Sequence, residues 1–306
     1  MANVRAPNRR LLRALATVAV VVLVAAGTSS PAAAEAVAAN QRLYFLQFNV
    51  CNAAVNGQRC YGGDSVTAAQ HILNSVGNAS IMTFNEICSD TSYRVSAQFG
   101  PHFYIETSGS DSPLQSTGDV NSCPGDHFGL SLMSKRPLLD YGPEFYSFFE
   151  DGSTTEVRAT ACKRTVYLHT LRVCVTHVTS MESYRNSNIL QVWIFTNNMR
   201  ARGDTWSTVL GGDFNETPLS IRMDRFYSSV YSPPGYGFFR EADHCHAVPG
   251  SAFGRCGDPT FAVGGTLNRK LDYIFFEPGL AYASASTATP SVSDHKILRA
   301  GIDIVA

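Results

Sequence analysis

The chain has 306 residues, 44% of them hydrophobic and 16% charged, a balance that excludes a disordered polymer. Its formal charge is −1, and becomes −5 once the four arginines of an N-terminal leader are set aside. That sum excludes a global positive field toward nucleic acid or anionic membrane, while leaving room for a local basic patch.

The leader comes first. Arg5, Arg9, Arg10 and Arg13 precede an apolar run from Ala14 to Ala26, and "SSPAAAEA" follows with Ala32 and Ala34 in an A-x-A arrangement. This is the pattern of a secretory signal peptide, residues 1–34, cleaved near Ala34. The run is too short for a membrane span. "NRRLLRA" faintly resembles a twin-arginine signal. A short extension, 35–42, leads into one domain, 43–306, long enough for a full core. The mature protein is expected to be soluble, secreted and without a membrane anchor.

"LYFLQFNV" (43–50) reads as a buried strand, and "SVTAAQHILNSV" (65–76) as a helix with Val66, Ala69, Ile72, Leu73 and Val76 on one face. "SIMTFNE" (80–86) is a strand, 108–126 a polar loop and "FGLSLMS" (128–134) a strand. Residues 156–178 form a hairpin. An amphipathic helix over 185–202 centres on Ile189, Val192 and Trp193. "STVLGGD" (207–213), 270–276 and 296–305 are further strands. Helices on the outer faces of packed sheets are the expected layering.

The eight cysteines are even in number, and export favours disulfides. Spacing pairs Cys51 with Cys60, Cys162 with Cys174 and Cys245 with Cys256, leaving Cys88 with Cys123. A zinc site of His244, Cys245, His246 and Cys256 is the alternative for the third pair, awkward because three ligands are consecutive.

Several strands end in polar residues: Asn49, Glu86, His177, Asp213 with Asn215, Asp272, and Asp294 with His295. Singly, each has a structural explanation. Asn49 closes a turn, Glu86 is a solvated strand end, His177 is a satisfied core histidine, and Asp294 makes an Asx turn beside an exposed His295. In "LGGDFNETP" (210–218), Asp213 and Asn215 can simply bond the next turn, with Thr217 as N-cap and Pro218 as first helical residue. Together the set supplies hard oxygen ligands, two histidines and several carboxylates, which divalent-metal hydrolysis of a phosphate ester requires.

The order "FNV", "NEIC", "FGLSLMSKRPL", "VTHVTS", "GGDFNETP", "PTF…LDYIFF", "SDHKIL" resembles the endonuclease/exonuclease/phosphatase superfamily over residues 43–305. The resemblance implies an α/β, deoxyribonuclease I-like sandwich of four layers, two packed, mostly antiparallel sheets flanked by helices, with the active site at one sheet edge. It implies Mg²⁺, with Mn²⁺ or Ca²⁺ as substitutes, bound by Glu86 with Asn49 beside it and Asp294 adjacent. Asp213 would orient or deprotonate water, and Asn215 would hold phosphate or metal. His177 would be the first histidine and His295 the second, on the scissile phosphate, with Asp272 orienting it. Gly211 and Gly212 would keep the backbone clear for substrate. In deoxyribonuclease I a glutamate orients the first histidine; Gly129 stands there in this chain, which leaves the partner of His177 open.

The implied activity is hydrolysis of a phosphate ester by a monomer, with nucleic acid as the leading substrate. Arg158, Arg269 and Lys270, beside site strands, would form a positive rim for it. A sphingomyelinase or phospholipase C, a phosphomonoesterase and a silent binding protein are the alternatives. Bacterial sphingomyelinases carry Trp-rich loops; this chain has only Trp193 and Trp206, and "YSPPGYGFF" (231–239) is its one candidate membrane-touching loop.

Overall fold

A computed structural model describes residues 41–52, 61, 64–107, 123, 127–139, 146–150, 157–245, 253–263, 266–289 and 293–304. The leader, Cys60, His246 and nearly all of the 108–126 loop lie outside the described residues.

In chain order the first elements are β1 (Gln41–Asn49), α1 (Ser65–Ser75), β2 (Ile81–Cys88), α2 (Ser89–Phe99), β3 (His102–Glu106), β4 (Phe128–Ser134), β5 (Leu138–Leu139) and β6 (Tyr146–Glu150). Next come β7 (Val157–Val166), β8 (Thr170–His177), α3 (Glu182–Ala201), β9 (Ser207–Asp213) and a 3₁₀ turn (Ile221–Arg225). Short strands follow: β10 (Tyr231–Ser232), β11 (Arg240–Glu241), β12 (Phe253–Gly254), β13 (Phe261–Val263) and β14 (Thr266–Arg269). The chain closes with β15 (Asp272–Phe276), β16 (Leu280–Ala288) and β17 (Ile297–Ile304).

Two large sheets result. The first runs β16-β17-β1-β2-β4-β3; the second runs β11-β15-β9-β8-β7-β5, with β6 also on β7. Only β1/β2 and β8/β9 pair in parallel within them. Period-2 alternation explains the layers. Leu43, Phe45, Ile81, Leu130 and Leu132 of the first sheet meet Ala159, Val173, Val175, Val209, Ile274 and Phe276 of the second in one core. The opposite face of the first sheet, with Leu46, Phe48, Met82 and Phe84, takes Ala68, Ala69 and Ile72 of α1 and Val95 of α2. The opposite face of the second, with Leu210, Tyr273 and Phe275, takes Ile189, Val192 and Met199 of α3. The order is helix, sheet, sheet, helix, as the resemblance implied.

Three details differ from the sequence reading. Val66 is 62% exposed and Ala68 is buried in its place, because the helix lays its small residues on the sheet. Ser220, not Thr217, caps the helical turn, its hydroxyl accepting from Arg222 N–H. Helix α2 carries no strong apolar stripe; its buried face is Ser89, Thr91, Ser92 and Val95.

Disulfides join Cys88–Cys123, Cys162–Cys174 and Cys245–Cys256, and Cys51 is also disulfide-bonded. The third pair removes the thiolate on which the zinc alternative depended. Cys162 and Cys174 stand directly opposite in the β7/β8 ladder. Closing so short a loop stabilises by about 3 kcal/mol on the chain-entropy account.

Candidate active site

The inner faces of five strands change character along their length, from apolar to polar toward one shared edge. Leu43 and Phe45 give way to Gln47 and Asn49, Ile81 to Thr83 and Asn85, Val173 and Val175 to His177, Val209 to Asp213, and Phe276 and Ile274 to Asp272. Register closes the set: Asn49 is opposite Asn85, and Asp213 lies between His177 and Asp272.

Glu86 reaches this edge by breaking the alternation. Met82 and Phe84 face the helices, so a regular strand would send Glu86 there too. The β2/β4 register instead shifts between Phe84 and Ile87, and Glu86 takes φ +51°. Ile87 then packs on the helix side and the Glu86 carboxylate turns inward, 3.5 Å from His177 Nε2.

Asp213 is buried at the centre. Its Oδ1 accepts from Asn215 N–H (2.7 Å) and its Oδ2 from Asn49 Nδ2 (3.0 Å). His295 Nε2 and His177 Nε2 lie 3.7 and 3.8 Å from Oδ2. Burial is the main cause that pushes its pKa up to about 7; the charge of Asp272 adds, while His295 and the two amide bonds oppose. A carboxylate near neutrality is suited to accept a proton from water.

His295 Nδ1–H donates to Asp272 Oδ2 at 2.7 Å. Burial disfavours the imidazolium, yet Asp272, Asp213 and Asp294 raise the pKa to about 10. His295 is therefore a buried cation at neutral pH. Asp272 is fixed in turn: Gln47 Nε2 donates to its Oδ1 (3.4 Å), and the Thr260 hydroxyl accepts from its backbone N–H (3.0 Å). The Ser293 hydroxyl donates to Asn49 carbonyl (2.9 Å) and accepts from His295 N–H (3.0 Å), which ties the last loop to β1.

His177 lies against Arg158. One guanidinium nitrogen lies 2.6 Å from Nδ1 and 2.9 Å from Nε2. A guanidinium can donate only to a ring nitrogen without a proton, so the contact demands neutral imidazole. Burial first, then Arg158 and His295, hold the His177 pKa well below the usual histidine range. Glu86 Oε1 and Asp213 Oδ2 lie 3.5 and 3.8 Å from its Nε2.

Beneath these groups two buried amides fasten the sheets together. Gln47 Nε2 donates to Asn85 Oδ1 (2.6 Å) while its Oε1 accepts from the Thr83 hydroxyl (2.6 Å). Asn85 Oδ1 also accepts from Asp213 N–H (3.0 Å), and its Nδ2 donates to Thr176 carbonyl (2.7 Å). This network explains the double glycine. A Cβ at Gly211 would stand 2.3 Å from Thr83 Oγ1, and one at Gly212 2.2 Å from Thr176 O. The glycines make room for the facing sheet and the neighbouring strand, not for substrate.

Lys270 leaves the expected rim. It is buried against Glu241 (2.8 Å) and Asp243 (2.7 Å). Arg269, partly exposed, ends β14 opposite Phe261, whose ring lies 4.8 Å from that of His295. Asn215 has φ +48° and donates Nδ2 to Val178 carbonyl (2.9 Å), which leaves its amide oxygen for a ligand. Gln47, Asn85, Thr260 and Ser293 escaped the sequence reading. The signal for the first two was present: an amide inside an apolar strand needs a buried partner.

A divalent cation fits the Glu86 carboxylate best. Its side chain keeps 26% exposure, and no Lys or Arg ion pair to it is seen among the described residues. Asp213, Asp272 and His295 could also bring ligand atoms within 4.8 Å of one another, but His295 holds its proton against Asp272 and offers no lone pair there.

A family model described as Endonuclease/Exonuclease/phosphatase family matches residues 46–295. The chain belongs to this family. Its members are phosphoric ester hydrolases, metal-dependent as a rule, and this chain is one of those hydrolases. No curated protein matches by sequence. Solved structures similar to it include a family member from Bacteroides vulgatus at 16% identity, with a TM-score of 0.58 over 86% of this chain and 99% of that one. The human Nocturnin catalytic domain, with bound sulfate, is 17% identical, with a TM-score of 0.58 over 85% and 93%. A mannosyl-6-phosphatase from Bacteroides thetaiotaomicron is 15% identical, with a TM-score of 0.53 over 85% and 99%. These likenesses carry the fold alone.

Proposed function

We propose that the protein is a secreted, magnesium-dependent phosphodiesterase whose substrate is nucleic acid. One observation carries the reading: Asp213 stands 3.7 Å from His295, which Asp272 holds as a cation at neutral pH, and His177 brings a second positive group, Arg158, to the edge where Glu86 turns inward. A phosphodiester anion repels an attacking oxygen until its charge is offset. A cation held by Glu86, with Asn49 and Asp294 as the further ligands that the family resemblance implies, would supply Lewis acidity at the phosphoryl oxygens. Asp213 accepts the proton of the attacking water at Oδ2. The ester P–O bond breaks as the bond to the water oxygen forms, and the leaving alkoxide takes its proton from solvent while Asp213 returns its own. His295 faces the growing negative charge through Nε2–H, and Asp272 keeps that ring charged and oriented. Neutral His177 serves as a hydrogen-bonding wall between Glu86 and Arg158. Asn215 offers its amide oxygen.

Secretion rests on the basic, apolar and A-x-A order of residues 1–34 and on the disulfides, which suit an oxidising compartment. No helix among the described residues is long and apolar enough to cross a membrane.

A lipid phosphodiesterase is the second reading, and one observation favours it. Met181 and Tyr184, just after β8, and Leu219 and Ile221, just after β9, are exposed, the last two by 67% and 79%. Both segments follow strand ends that carry site residues. The 231–239 loop is less suited: Tyr231 and Phe239 are buried and Tyr236 is its exposed aromatic. The test is to offer mature protein plasmid DNA, RNA, sphingomyelin vesicles and a phosphomonoester in parallel, with Mg²⁺ and with chelator. Cleavage of DNA or RNA only with Mg²⁺ is the expected result. Sphingomyelin turnover with intact nucleic acid would establish the second reading, and turnover undiminished by chelator would sink both.

A further inference from the structure

The left-handed backbone of Glu86 needs something to hold it, and a buried asparagine does so from the segment that follows β1. Asn52 is fully buried. Its backbone N–H donates to the Glu86 carbonyl at 2.9 Å, as Val50 N–H donates to Asn85 carbonyl at 2.9 Å. These two bonds extend the parallel β1/β2 pairing past Asn49. The Asn52 side chain then grips the other side of the bulge. Its Oδ1 accepts from Cys88 N–H (3.2 Å) and from the Thr91 hydroxyl at the start of α2.

Glu86 is thus bracketed. Asn85 before it is fixed by Gln47, Asp213 N–H and Thr176 carbonyl. Cys88 after it is fixed by Asn52. A β-bulge with a non-glycine residue at positive φ persists only where its surroundings over-determine it. Removing the Asn52 amide would leave a buried N–H and a buried hydroxyl without their acceptor. The end of β2 could then relax toward a regular strand, whose alternation turns Glu86 to the helix side, away from His177 and Asp213.

We propose that Asn52 is a positioning residue that keeps the Glu86 carboxylate in the active site, so that cation affinity depends on a side chain which touches neither cation nor substrate. This rests on the reading that Glu86 holds the cation, and the reference variant tests that reading separately. Mn²⁺ binding to the full mature chain is followed without substrate by the electron paramagnetic resonance of free Mn²⁺. The half-saturating Mg²⁺ concentration, kcat at saturating Mg²⁺ and thermal melting are measured alongside.

Asn52→Ala should weaken Mn²⁺ about tenfold or more, the range found when groups that orient ligands are removed. Half-saturating Mg²⁺ should rise by the same factor, and kcat at saturation should change by less than about twofold. Thr91→Val removes one of the two side-chain bonds to Asn52 and should weaken Mn²⁺ by a smaller factor in the same direction. Glu86→Gln should abolish specific Mn²⁺ binding. Parental Mn²⁺ affinity in Asn52→Ala, with Glu86→Gln inactive in binding, would overturn the role of Asn52 alone. Retained binding in Glu86→Gln would overturn both it and the cation assignment. Should Asn52→Ala lose its cooperative melt, Thr91→Val decides, and parental affinity in that variant refutes the proposal.

Discussion

Two acidic residues one strand apart show how far environment governs chemistry. Asp213 and Asp272 are cross-strand neighbours, both buried, yet only one has a cation directly on it. Asp272 spends its charge on His295; Asp213, with amide donors and a histidine beyond hydrogen-bond distance, is left with a pKa of about 7. The sign of the pH dependence follows. On the proposed mechanism hydrolysis requires Asp213 ionised, so the rate should rise through about pH 7. The same mechanism requires His295 protonated, so the rate should fall through about pH 10. A pH–kcat profile with a plateau between those limbs is expected. Asp272→Asn removes the largest favourable charge on His295 and leaves burial to oppose the imidazolium. The alkaline limb should then move down by several units, and kcat near pH 8 should fall by about 10²–10⁴-fold. An alkaline limb that stays in place would show that another group titrates there.

At the scale of elements, the inner-face gradient from apolar to polar is what makes a site out of two sheets. It also decides what the glycines are for. Gly212→Ala forces a Cβ against the backbone of Thr176, so β8 and β9 must part. Gly211→Ala meets the Thr83 hydroxyl, which must turn away from Gln47. Both should cost about 1–3 kcal/mol, Gly212→Ala the more, read by urea denaturation. Parental stability with weakened substrate binding would instead restore a substrate-clearance role. Replacing Cys162 and Cys174 together should cost about 2–4 kcal/mol by the same measurement. The strands were legible because their apolar periodicity is strong, and Asn49, His177, Asp213 and Asp272 because each interrupts such a run at its end. Helix α2 was not, since its buried face is mostly Ser and Thr. The inward turn of Glu86 was not, since a bulge reverses the alternation that sequence reading assumes. The Arg158–His177 contact was not, since no spacing rule pairs an arginine with the end of the next strand.

At the scale of the whole molecule the open matter is which phosphate ester reaches this edge, and charge and apolar surface argue in opposite directions. The net charge of −5 expected after leader removal gives no long-range attraction to a polyanion. Local charge has to serve, and the structure narrows the candidates. Lys270 is neutralised by Glu241 and Asp243, and buried Arg158 lies against His177 inside the site. Arg269 remains as the rim residue, partly exposed beside the Phe261–His295 contact. If DNA is the substrate, its binding should weaken as salt rises, with a log–log slope of about −0.9 for each phosphate neutralised. If Arg269 contacts a phosphate, Arg269→Ala should reduce that slope by about one such unit, and kcat in the parental background should stay nearly unchanged. The measurement is DNA affinity of a Glu86→Gln background, which binds without turnover, across a salt series. A lipid phosphodiesterase behaves otherwise. Its affinity would follow vesicle concentration, depend weakly on salt for zwitterionic headgroups, and drop when Leu219 and Ile221 are made polar. A slope near zero for DNA, with vesicle binding lost in Leu219→Ser/Ile221→Ser, would assign the exposed apolar residues to substrate recognition and remove Arg269 from it.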